Sequence, residues 1–296
     1  MRPLDGGAVT APYHHAETKF DKLLFLNDVV FSPADAVDLL FSTNVGEDGR
    51  TRYNSACAMD FINPFKFYDT WATRDAEGHG MGVPFFPWFS NAGEGQSRRE
   101  VLDEMDAVRV KTCWGGMVAF EASWFQASQT SANLSDAQSS SPLRFRAEEE
   151  LWWESSECCL LQADLQEKVA NASSPSTVDL KGIFVNPYVR VAYDEFTFRW
   201  LGLSRRFERL YSPIHRLANW IAKMPFSSPR REEIAGQEVV HEAWIEDARD
   251  DAGGHFEKVE RVAGAGGFCG NRGLLVLKPN PKPGEKRWEK IPVPSA

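Results

Sequence analysis

The hydrophobic pattern changes period several times along the chain. Leu23 to Leu26 form a short, uninterrupted apolar run bounded by polar residues, the mark of a buried strand. The run stops at Asn27-Asp28, resumes as Val29-Val30-Phe31, and then meets Ser32-Pro33-Ala34-Asp35. That tetrad predicts a helix start, with Ser32 as N-cap, Pro33 at the first helical position and an acidic residue three after the cap. The helix is expected to reach about Thr43 and to be followed by a turn-rich loop, VGEDGRTR. Tyr53 to Phe61 predict a second buried strand with Asp60 at its end. Residues 63–89 are dense in aromatics, Gly and Pro without a sustained period. They predict a long ordered loop, and such loops inside a compact domain are usually functional.

The middle of the chain continues in short elements. Ser97 to Met105 predict a helix, and Asp106 to Cys113 and Met117 to Phe120 predict two strands turned at Trp114-Gly115-Gly116. Gln126 to Ser141, rich in Ser, Thr, Asn and Gln, read as a flexible loop. Leu151 to Lys168 predict a helix, with Ser155 or Ser156 near its cap and Glu157 in its first turn. Ile183 to Val185 and Val189 to Ala192 predict two short strands flanking Asn186-Pro187. Two amphipathic helices are expected over 195–210 and 212–223. Beyond residue 225 only Leu274 to Leu277 look strand-like, so a Gly/Pro-rich, peripheral tail is expected. The resulting division is a lead-in over 1–19, a core over 20–224 and a tail over 225–296. Strands alternating with helices predict an α/β fold. In such a sheet, a carboxylate at the carboxyl end of a central strand lies where ligands bind, and Asp28 is placed there.

Composition narrows the function classes. The chain has 296 residues, enough for one large or two small domains, and a net charge of -9. That charge argues against a general nucleic-acid or acidic-membrane surface. No run approaches the ~20 apolar residues that span a bilayer, and the start lacks the order of a signal peptide. Five cysteines without CxxC spacing argue against a zinc site. They fit either buried thiols or a disulfide or two with one thiol left over. Two sequons, at Asn133 and Asn171, would suit a secreted or lumenal protein.

Several residues carry candidate chemistry. Asp28 reads either as a turn cap or as a ligand for Mg²⁺ or Mn²⁺, held beside water and substrate phosphates. Arg74, Asp75, Glu77 and His79 crowd four hydrogen-bonding side chains into RDAEGH. They suit a grip on sugar hydroxyls or phosphate as well as they suit an exposed, salt-bridged turn. Trp114, Gly115 and Gly116 form either a stacking platform for a sugar or a hairpin turn with a buried indole. Glu157 is either a helix-dipole partner or a catalytic or acceptor-orienting carboxylate, with Trp152-Trp153 as a sugar-facing loop before it. GAGGFCGNRG is neither GxGxxG nor a P-loop.

In order, FLNDVVF, YNSACAMDF, FYDTWATRDAEGH, VKTCWGGMVAFEA, LRFR, SSECCLLQADL and FVNPYVRVAY resemble the fungal cryptococcal mannosyltransferase family. This is the capsule-associated α-1,3-mannosyltransferase group, glycosyltransferase family 69, and the likeness covers about residues 20 to 225. The resemblance implies a GT-A-like core, GDP-mannose as donor, a glycan acceptor, a divalent cation (Mn²⁺ or Mg²⁺) and retention at the anomeric carbon. It also implies a Golgi or secretory-pathway location, usually with a membrane anchor. Asn27-Asp28 stand where a GT-A enzyme has its DxD; the first Asp of that motif falls on Leu26, leaving Asp28 as the metal ligand. Glu157 takes the place of the acidic residue that opens the acceptor-side helix. Arg74, Asp75, Glu77, His79 and Trp114 to Gly116 match family motifs and are expected on the donor or acceptor side. About twenty residues precede the Asp28 strand, so the nucleotide-binding part is expected to be truncated. The competing expectation is a carbohydrate-binding or scaffold homologue without transfer activity.

Overall fold

A computed structural model describes residues 19–126, 141–172, 181–226, 230–246, 253–282 and 284–294. The strands are β1 (Lys22–Leu26), β2 (Tyr53–Asn63), β3 (Lys66–Phe67), β4 (Arg74–Asp75), β5 (Val108–Thr112), β6 (Met117–Glu121), β7 (Trp153–Glu154) and β8 (Gly182–Ala192). β9 (Glu238–Glu246), β10 (Gly254–Val262), β11 (Asn271–Arg272), β12 (Leu274–Leu277) and β13 (Trp288–Ile291) follow. The helices are α1 (Pro33–Phe41), α2 (Gln96–Leu102), α3 (Glu157–Ala172), α4 (Glu195–Arg205) and α5 (Ser212–Ala222).

The fold is α/β around a seven-stranded mixed sheet in the order β1-β6-β2-β8-β5-β4, with β3 paired to β2. β2 and β8 are parallel, and the remaining pairs along this order are antiparallel. Consequently β1, β2 and β8 run the same way and end at one edge of the sheet, where β6 begins. Both sheet faces are covered. Cys57, Met59 and Phe61 of β2 pack with α3 residues on one side, while Ala56 and Ala58 pack with Leu39 of α1 on the other. This explains why β2 is a near-continuous apolar run rather than an alternating one. The start of α1 follows the sequence: Ser32 and Asp35 form a capping box, and Pro33 occupies the first turn.

Four expectations need correction. β1 is an edge strand, half-buried rather than buried and central, because only β6 pairs with it. Trp114-Gly115-Gly116 do not close a hairpin, since β5 pairs with β8 and β4 whereas β6 pairs with β1 and β2. The expected helix from Leu151 starts six residues later, at Glu157, because Trp153–Glu154 pair with β11 instead. The two strands around Asn186-Pro187 are one strand with a bulge, where Cys57 faces Val185 and Met59 faces Arg190. Proline has no N–H for the ladder, and a bulge is where a sheet tolerates it.

The C-terminal stretch is more structured than its composition suggests. β9 and β10 form a long hairpin, and β12 pairs with β13. It is also fastened to the core: Cys159 on α3 is bonded to Cys269, and Arg74 Nε donates to the Phe268 carbonyl at 3.0 Å. Cys57 and Cys113 form a second disulfide, leaving Cys158 as the free thiol. Of the Gln126–Ser141 loop, residues 127–140 lie outside the described residues, as do Asn133 and Ser173 of the two sequons and residues 1–18.

α5 is packed by its polar side. His215 is buried, accepts or shares a proton with Arg98 Nη1 at 2.8 Å, and lies 3.0 Å from the Asn219 amide. Burial, with the Arg98 charge adding to it, pulls the imidazole from 6.5 down to about 4. The unfolded chain therefore takes up this proton first on acidification. The contribution is whole above about pH 6.5 and is lost as pH falls toward 4, by on the order of 2–3 kcal/mol. Urea unfolding at both ends of this window, on wild type and His215→Asn, is expected to show a shallower acid slope in the variant.

Candidate active site

The candidate residues gather at the sheet edge where β1, β2 and β8 end. Asn27 N donates to the Gly116 carbonyl at 2.9 Å, and Trp114 Nε1 donates to Asn27 Oδ1 at 3.2 Å. The Asn27 side chain also hydrogen-bonds the Tyr193 phenol just past β8. Tyr193 in turn donates to Asp60 Oδ2 at 2.8 Å. Asp60 Oδ1 accepts from the Asp69 N–H at 3.0 Å. The Asp69 carboxylate holds two backbone amides, of Ala72 at 3.0 Å and Gly115 at 3.1 Å. One chain of hydrogen bonds thus joins β1, β2, β8, the aromatic loop and the β5–β6 crossover.

The two glycines are required by this packing. Gly115 has φ +61°, and a Cβ there would lie 1.9 Å from the Ala58 carbonyl oxygen. Gly116 has φ +69°, and its Cβ would meet Val29, Val191 and Asp60 within 3.3 Å. A side chain at either position is excluded by both backbone and space.

Burial dominates the electrostatics. Asp60 is completely buried, and burial together with the Asp69 charge raises its carboxyl above the ordinary value of 3.8. Burial also raises Asp69, opposed by its backbone donors and by the Arg74 charge. Asp28 differs from both: its carboxylate is exposed beside Asn27 and makes no hydrogen bond or ion pair with the described residues.

α3 brings its amino end to the same region. The Ser156 carbonyl accepts the first helical bond from Leu160, and Glu157 opens the helix with an exposed side chain. The charges of Glu157 and Asp69 both reach the Cys158 thiol, and with burial as the leading cause they push it up to about 12. α3 is held by Gln162, which accepts from the Cys113 N–H and donates to the Cys113 carbonyl at 2.6 Å.

The other expected residues have different settings. Arg74 is buried, and its donors go to the carbonyls of Trp71, Thr73 and Phe268, so it shapes the wall behind Asp69. Asp75 accepts from the amides of Glu77 and His79 and pairs with His79 Nδ1 at 3.1 Å. Glu77 caps the Glu94 amide at 2.7 Å. RDAEGH is therefore a tightly self-bonded turn, tied to the rest of the sheet by the pairing of Arg74-Asp75 with β5 and to Asp69 by the Arg74 charge. Trp114 is buried against Phe25, Phe120 and Phe145, so its indole is a packed wall and not an exposed platform. Trp152 and Trp153 face the C-terminal segments, packing on Trp244 and under Arg231, so the expected sugar-facing loop is not there.

Sequence reasoning passed over Asp60, Asp69 and Tyr193. The signal for Asp60 was present, as a carboxylate near the end of a largely apolar strand is costly to bury unless it is paired. Tyr68, exposed and edge-on to Tyr193 at 4.8 Å, and Trp71 are the aromatic faces open to solvent in the Asp69 loop.

A family model described as cryptococcal mannosyltransferase 1 matches residues 1–164 of the 296. The chain belongs to the cryptococcal mannosyltransferase family. The matched part holds Asp28, Asp60, Asp69, Gly115, Gly116 and Glu157, and it ends before Tyr193. Comparison with curated proteins and with solved structures returned no match. Membership in a mannosyltransferase family makes this a glycosyltransferase-type chain that handles a sugar donor and an acceptor. Among the described residues no three His, Cys, Asp or Glu side chains are grouped to hold a metal ion. Asp28 offers one exposed carboxylate at this edge.

Proposed function

We propose that this chain transfers mannose from GDP-mannose to a glycan acceptor, with retention of configuration, in α-1,3-linked polysaccharide or cell-wall synthesis. The observation that carries the reading is the convergence of Asp28, Asp60, Asp69, Gly115-Gly116 and the Glu157 helix start at one sheet edge. Family membership supports it. A GT-A-like architecture is the corresponding fold proposal, supported by the mixed sheet and by the candidate residues at its carboxyl edge, where such sheets bind ligands.

In the proposed reaction the bond from the anomeric carbon to the donor phosphate oxygen breaks. The acceptor hydroxyl oxygen then attacks from the same face and gives its proton to the departing phosphate. Asp28 would hold a Mn²⁺ or Mg²⁺ ion, whose charge, when bound, offsets that developing on the diphosphate. Glu157 either faces the positive charge on the sugar or orients the acceptor hydroxyl. Asp60, through Tyr193 and Asn27, holds the Asp28 turn in place. Tyr68 and Trp71 offer apolar faces for sugar rings. The two disulfides support a secretory-lumen location, because such bonds persist in oxidising compartments.

The test offers several nucleotide sugars to the chain with Mn²⁺ and an α-mannoside oligosaccharide. GDP release from GDP-mannose and an α-configured product are expected. Mannoside binding without nucleotide release would instead identify a binding homologue and overturn the proposal.

A further inference from the structure

α4 and α5 expose what helices normally bury. The inward residues of α4 include Thr197, Leu201 and Ser204, and those of α5 are His215 and Asn219. The outward stripes hold Phe196 and Trp200 on α4, and Ile214, Leu217 and Trp220 on α5. Trp220 is 77% exposed, and Leu210 in the connecting 3-10 turn is 70% exposed. An amphipathic helix in a globular protein turns its apolar stripe to the core, so a stripe facing outward signals a surface meant to be covered.

Charge identifies the cover. Between Glu195 and Phe226 six Arg and Lys stand against two Glu, in a chain whose net charge is -9. One of those glutamates, Glu208, is already taken by Arg190 through two bonds of 2.8 Å. Arg206, Arg216 and Lys223 are exposed beside the apolar stripes. A hollow of about 860 Å³ next to Trp220 is lined by Arg216, Lys223, Met224 and Phe226, placing cations beside apolar walls. Tryptophans with flanking cations and aliphatic side chains on one face are the composition of a helix lying in the membrane–water interface. None of the described helices is long and apolar enough to cross a membrane.

We propose that the α4–α5 face seats this chain on an anionic phospholipid surface, with Leu217 and Trp220 in the headgroup–acyl boundary and Arg206, Arg216 and Lys223 against the headgroups. The overall negative charge, which argued against an acidic membrane surface, is offset locally by this basic segment. The proposal is independent of the transfer reaction and of the compartment proposed for it, and stands or falls by lipid binding alone.

The experiment is flotation of the whole chain with phosphatidylcholine vesicles, with and without phosphatidylserine. Binding to the anionic vesicles is expected, weakening with salt. Arg206→Gln and Arg216→Gln are each expected to weaken it about five-fold, and Leu217→Ser/Trp220→Ser to abolish it. All four positions are exposed, so thermal unfolding is expected to be unchanged. The proposal is overturned by no binding to either vesicle, by binding that the variants leave intact, or by a wild-type dimer that Leu217→Ser/Trp220→Ser splits into monomers.

Discussion

Asp28→Ala and Glu157→Ala are each expected to lower turnover of GDP-mannose by about two orders of magnitude or more, the usual scale for removing one group that meets charge in the transition state. Their unfolding temperatures are expected to stay near wild type. Both side chains are exposed, and Asp28 makes no bond to the described residues whose loss would weaken the fold. The pairing of intact stability with lost activity is the informative result. Asp60 and Asp69 would not give it, since each holds partners within the fold, and their removal would take a partner from the Tyr193 hydroxyl and the Gly115 amide. Turnover is measured with saturating Mn²⁺ and donor, so that a change in affinity is not read as a change in rate.

Gly115→Ala is expected to have the largest effect on stability, a loss of at least about 3 kcal/mol, with soluble yield falling accordingly. The new Cβ would lie 1.9 Å from a backbone oxygen of β2, which cannot swing away as a flexible side chain would. The left-handed backbone adds about 1 kcal/mol for a residue with a Cβ, and the displaced carbonyl belongs to Ala58, which is buried in β2. Gly202→Ala is the control. Gly202 sits within α4 with no atom near its would-be Cβ, and the change should stabilise by roughly 0.5–1 kcal/mol. Urea midpoints of the two variants moving in opposite directions would confirm that position, not residue type, decides.

Local signals in the sequence located several elements well. Ser32-Pro33-Ala34-Asp35 specified the start of α1 because capping is a property of four adjacent residues. The apolar run from Tyr53 specified β2 because burial on both faces leaves no alternation to misread. Partner choice was not legible. Whether β1 is central or an edge, and whether β5 turns back on β6, depends on strands far apart in sequence. The same holds for α3, whose expected first turn went to a two-residue pairing with Asn271 and Arg272, over a hundred residues away. At the site, Asp28 and Glu157 were visible as strand-end and helix-start carboxylates. Asp69 was hidden inside an aperiodic loop, and its role depends on Gly115 coming within hydrogen-bond reach. The outward apolar stripes of α4 and α5 look from periodicity like ordinary core faces, because the pattern states that a helix is amphipathic and not which side is inward.

The most direct measurement of the central claim is hydrogen–deuterium exchange of the whole chain with and without GDP-mannose and Mn²⁺. Slowed exchange is predicted at the sheet edge, in peptides covering residues 26–30, 60–72 and 113–117, and at the start of α3. Protection confined to the opposite end of the sheet, around Arg50 to Asn54 and Ser123-Trp124, or no protection anywhere, would contradict the account.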